Sequence, residues 1–157
     1  MSSKKFFVVA LLLPVSTLSA LLPAWGQVIA PAKFAPGFAR QDGVLNGATN
    51  GSYSLSSIAK FDRTQNPCLG FSGNTPDHKI VLEKGFSKLS FQVNSRGKDT
   101  TLIIKAPNGQ IFCGDDTGAK KDASIVARDL ASGEYDVWVG SIEPGKRWSY
   151  SLTLSEK

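Results

Sequence analysis

The chain has 157 residues and a formal net charge of +5, with 41% hydrophobic and 20% charged residues, one His and two Cys. That length suits one domain, and the composition is too apolar for a wholly disordered chain. One His and two Cys exclude a finger-type zinc site and leave little for histidine-based catalysis, so composition points away from an enzyme.

The first 26 residues read as a signal peptide. Lys4 and Lys5 form a basic start, Phe6 to Leu13 is an unbroken apolar run, and Pro14 to Leu22 continues it more weakly. Ala24 and Gly26 place small side chains at the −3 and −1 positions of a signal-peptidase site before Gln27. Cleavage after Ala20 or Ala30 also fits. The competing reading is an uncleaved anchor, but Pro14, Ser16, Thr17 and Ser19 interrupt the apolar run, and no later stretch approaches spanning length. The expected destination is the periplasm or the extracellular space, with no membrane span after cleavage. The segment carries two lysines and no acid, so its removal leaves 131 residues with a net charge of +3. The remaining adjacent basic pairs, Lys120-Lys121 and Lys146-Arg147, form no stripe, which argues against nucleic acid as a partner.

Residues 27–52 carry Pro31, Pro36, Gly37, Gly43, Gly47 and Gly51 and show no helical periodicity. They read as a linker or loosely docked arm, with Phe34 and Phe38 as candidate tethers. The domain is expected over 53–157. There, apolar residues alternate with polar ones around Ile80-Leu82, Leu89-Phe91-Val93, Leu102-Ile104, Tyr135-Val137-Val139 and Trp148-Tyr150-Leu152-Leu154. Such alternation predicts strands with one buried face. Tyr53 to Ile58, Gln110 to Cys113 and Ser124 to Ala127 are weaker strands. Pro107-Asn108-Gly109 predicts a tight hairpin. About seven or eight short strands make an all-β, antiparallel, jelly-roll-like sandwich the expected fold. In an oxidising compartment Cys68 and Cys113 would pair; two free thiols or one reactive thiol are the alternatives.

Several segments together resemble the bacterial pre-peptidase C-terminal domain. They are Asp99-Thr100-Thr101-Leu102-Ile103-Ile104, Pro107-Asn108-Gly109, Cys113-Gly114-Asp115-Asp116, Gly133 to Ser141 and Tyr150 to Ser155. The resemblance spans roughly residues 70–155. It implies a small sandwich that serves as an accessory module of exported enzymes, linked to secretion, folding of a parent protein, or binding to matrix and polysaccharide. Related collagen-binding modules are stabilised by calcium. No protease domain accompanies the motifs here.

Asp99, Asp115, Asp116 and Asp122 form the candidate calcium set. Ca²⁺ takes six to eight oxygens, and a loop with adjacent carboxylates offers several. The spacing is not that of an EF-hand, and Lys120 and Lys121 oppose a cation. The alternative is that these carboxylates cap turns. Asp136 and Trp138 share a strand face. If that face meets solvent, a ring beside a carboxylate suits a sugar or a protein contact. If chain covers it, Trp138 belongs to a core. His78 has no nucleophile elbow to serve.

The leading expectation is a non-catalytic exported module that binds an envelope or extracellular protein or glycan. A structural envelope or matrix subunit, or a stabilising partner of a secreted enzyme, is the second reading. A small hydrolase is a remote third.

Overall fold

Period-two alternation is realised as twelve strands in a computed structural model that describes residues 30–117 and 120–157. The expected signal segment and residues 27–29 lie outside the described residues. The strands are β1 (Ala32–Phe34), β2 (Val44–Ala48), β3 (Tyr53–Ser54), β4 (Phe71–Ser72), β5 (His78–Leu82) and β6 (Phe86–Asn94), then β7 (Thr100–Lys105), β8 (Ile111–Gly114), β9 (Asp116–Thr117), β10 (Lys120–Leu130), β11 (Gly133–Ser141) and β12 (Ser149–Glu156).

The strands form two sheets. In the seven-stranded sheet, β11 lies at the centre. One edge of β11 takes β5 and then β4, and the other takes β7, which carries β8. β1 joins β5 in parallel, and β3 joins β4. The five-stranded sheet runs β2-β12-β6-β10-β9. The all-β sandwich is therefore as expected, with one parallel pair at an edge.

The inward faces supply the main core. Ile80 and Leu82, Leu89, Phe91 and Val93, Leu102 and Ile104, Tyr135, Val137 and Val139, and Leu152 and Leu154 all meet there. Burial of these apolar faces is the dominant stabilising term. Each strand's alternate residues point away from that core, as the pleat requires. The β7–β8 hairpin turns through Pro107-Asn108-Gly109. The Gly109 amide donates to the Ala106 carbonyl at 2.9 Å, and Gly109 adopts φ 81°, a conformation that favours glycine.

Residues 27–52 are not a linker over their described part. β1 and β2 are hydrogen-bonded members of the two sheets. Phe34 is in the main core, with the Phe38 ring 5.0 Å from it and packed in turn on Phe86. The alternation is absent because β1 has only three residues and β2 (VLNGA) carries a glycine where bulk cannot fit. A Cβ on Gly47 would sit 2.5 Å from the Tyr150 ring. The expected strand from Tyr53 to Ile58 also stops early. Only Tyr53–Ser54 pair, and Leu55–Ser57 form a 3-10 turn that buries Leu55.

That turn begins a second, smaller core on the outer face of the seven-stranded sheet. Leu55, Cys68, Ile103, Cys113 and Trp138 pack together, with Ile58, Ala59 and Ile111 against them. Cys68 and Cys113 form a disulfide, with Cα atoms 5.2 Å apart. The expected pairing is thus present.

Candidate functional site

The register of the β7–β8 hairpin sets Leu102 opposite Gly114. The start of β7 therefore lies beside the end of β8, which brings Asp99 to Asp115 and Asp116. One carboxylate oxygen from each lies within 4.8 Å of the others. Asp115 is half-buried, and its Oδ1 is buried without a hydrogen-bond partner among the described residues. Burial, with the nearby Asp116 and Asp99 charges, pushes the Asp115 carboxyl above its usual range. Lys121 partly offsets this crowding, with its Nζ 2.8 Å from Asp99 Oδ2.

This donor set suits a hard divalent cation. It offers three carboxylates, one of them holding an orphaned buried oxygen, beside loop carbonyls. The opposition from Lys121 anticipated in the sequence is present as an ion pair with Asp99.

Asp122 does not join the cluster. The β9–β10 pairing shifts register between Lys120 and Ala123, and the Asp122 side chain turns toward the β6–β7 connection. There its Oδ1 accepts from the Ser95 amide at 2.7 Å and from the Ser95 hydroxyl, and its Oδ2 accepts from the Gly97 amide at 3.3 Å. It is a buried turn anchor. Removing a buried carboxylate that holds several donors leaves them unsatisfied. Asp122→Ala is therefore expected to cost about 3 kcal/mol, read as a lower urea midpoint.

Asp136 and Trp138 do not form an open stacking surface. Trp138 is only 6% exposed and packs in the second core beneath residues 55–68. Asp136 is half-buried, and its carboxylate lies 3.3 Å from Lys79 Nζ. The indole is part of the scaffold. Neighbouring Gly140 shares that outward face, and a Cβ there would sit 2.7 Å from the Phe71 carbonyl and 2.8 Å from Leu55. The covering segment can lie close only over a bare backbone.

His78 is half-buried, and its Nε2 shares a 2.9 Å hydrogen bond with the Tyr150 hydroxyl. Burial lowers its pKa and so favours neutral imidazole. Beside it, Asp77 Oδ2 accepts from the Val139 amide at 2.8 Å and from the Ser72 hydroxyl at 3.3 Å. Burial outweighs both bonds and raises Asp77 to about 6. The group sits inside the sandwich, tying β5 to β11 and β12.

One feature escaped the sequence reading. A cleft of about 630 Å³ opens on the outer face of the five-stranded sheet, with Arg96, Lys98 and Arg147 along it. Arg96 and Arg147 are far apart in the chain, and only the β6–β12 pairing brings them together. The signal available in advance was the polar face of β12, Ser149, Ser151 and Thr153.

No protein-family model matches the chain, and no curated protein matches it either.

Proposed function

We propose that this protein is a non-catalytic, exported binding and accessory module of the pre-peptidase C-terminal type, stabilised by a calcium ion held by Asp99, Asp115 and Asp116. The observation that carries the calcium reading is the buried Asp115 Oδ1, which has no hydrogen-bond partner among the described residues and faces two further carboxylates. A divalent cation there would satisfy that oxygen and remove the mutual repulsion. Its chemical contribution is structural, joining the β7 start to the β8–β9 connection.

Support for a binding module comes from how the scaffold uses its faces. The outer face of the seven-stranded sheet is sealed by a disulfide-bonded segment, while the five-stranded sheet leaves its outer face open. A rigid sandwich with one sealed and one open face suits presentation of a surface to a partner. The basic, apolar leader and the disulfide support export. Among the described residues no helix is long and apolar enough to cross a membrane.

A thermal melt of the non-reduced protein, in EDTA and then in millimolar Ca²⁺, tests the cation. A ligand that binds only the folded state raises the midpoint. The expected rise is about 5 °C, absent in Asp115→Asn/Asp116→Asn. An equal midpoint in both buffers would leave these aspartates as turn residues. Binding is tested separately by capture from envelope extract, which should recover a component unaltered.

A further inference from the structure

We infer that the open face of the five-stranded sheet binds an acidic polysaccharide, a chain of pyranose units bearing carboxylates. The inference rests on the binding-module reading and names its site and ligand chemistry.

The floor of the cleft follows from register. Ser151 on β12 stands opposite Asn46 on β2 and opposite Asn94 on β6. Paired residues share a sheet face, and their neighbours Leu152 and Val93 point into the core. Asn46, Ser151 and Asn94 therefore form one outward row across three strands, about 10 Å long at ordinary strand spacing. Each can donate and accept, as sugar hydroxyls require.

The walls carry charge. Arg96 and Lys98 rise from the β6–β7 turn, and Arg147 enters from the start of β12. Among the described residues none of the three forms an ion pair, and no carboxylate lines the cleft. Three uncompensated cations around a neutral polar floor call for an anionic ligand. Guanidinium groups suit carboxylates through paired donors. Trp148, half-exposed at the cleft, adds a flat apolar surface for a pyranose ring.

The turn that carries two of these cations is held in place. Asp122 grips the Ser95 and Gly97 amides from beneath, and Ser95 Oγ accepts from the Lys98 amide at 3.1 Å. Arg96 is held at φ 62°, a left-handed conformation that arginine rarely adopts. Strained backbone at a binding position is retained where the surrounding structure over-determines it. A nucleic acid is the weaker occupant, because three cations around a short neutral row give little of a phosphate track.

Affinity electrophoresis of the purified full chain tests the inference, with polygalacturonate, neutral dextran and single-stranded poly(dT) as probes at low salt. The expected result is retardation by polygalacturonate alone, weakened at least tenfold in Arg96→Glu/Arg147→Glu and in Trp148→Ala, each with an unchanged melting midpoint. Arg96→Gly serves as a second variant, since it relieves the backbone while removing the charge. Equal retardation by dextran or poly(dT), or unchanged affinity in all variants, would overturn the inference. Should polygalacturonate fail while wild type and the double variant capture the same envelope component, the cleft is wrong and the binding module stands. Should neither capture anything, the broader reading fails with it.

Discussion

Replacing Cys68 and Cys113 together by Ala is expected to remove about 4 kcal/mol of stability. The bridge closes a loop with a sequence separation of 45, so its loss frees a large part of the unfolded chain. Both half-cystines are buried in the second core, so the substitution also loosens its packing. The covering segment keeps other ties. The Leu55 amide donates to the Gly70 carbonyl at 2.9 Å, and the Cys113 amide donates to Asp62 Oδ2 at 3.2 Å. The segment should therefore stay docked but open more often. Urea unfolding would show a lower midpoint, and hydrogen exchange would show faster opening around residues 55–70. An unfolding free energy within about 1 kcal/mol of wild type would mean that the unfolded chain gains little freedom when the bridge is removed.

Asp77→Asn is expected to stabilise the protein by about 2–3 kcal/mol at pH 8 and to have little effect at pH 4. The sign follows from proton linkage. Asp77 titrates near 3.8 when unfolded and about 6 when folded, so the folded state holds its proton more tightly between those values. Stability from this group therefore falls as pH rises through that window and stays low above it. The asparagine keeps an acceptor for the Val139 amide and carries no charge to desolvate. His78 has the opposite slope, because its lowered folded pKa means that stability is lost as pH falls below its ordinary value of 6.5. The phenol of Tyr150 is also held in its neutral form, by burial and by the Asp77 charge. In the variant the Asp77 contribution is gone while the histidine slope remains, so stability at pH 4 relative to pH 8 should be lower than in wild type. Urea titrations at both pH values would decide the matter, and equal gains at pH 4 and pH 8 would point to packing instead of charge.

The parts of the fold legible in the sequence are those where one strand face is buried and the other is wet. β5, β6 and β12 alternate because their outer faces meet solvent or polar partners. The disulfide was legible from two cysteines in a chain whose first 26 residues read as a signal peptide. Burial on both faces was harder to read. Trp138 sits among alternating residues like any outward side chain, and nothing nearby says that residues 55–68 fold over it. The arm was misread because a three-residue edge strand is too short for periodicity to register.

The candidate site divides in the same way. Asp115 and Asp116 are adjacent in sequence, and the hairpin that delivers Asp99 to them has a readable turn. Asp122 was grouped with them by proximity in the chain, yet a register shift turns it to the other side. Arg96, Lys98 and Arg147 look like scattered surface charges until β12 lies against β6. Charge clustering across strands depends on register, which composition does not reveal.

The place of the last strand in the five-stranded sheet governs the order of assembly. β12 lies between β2, near the described N-terminal end, and β6, in the middle of the chain. Neither neighbour can complete its hydrogen bonding until Ser149–Glu156 arrives, and the two ends of the domain must find each other across most of its length. Long-range closure of this kind makes folding slow, because the entropy of closing the loop is lost before the hydrogen bonds of β12 to β2 and β6 are gained.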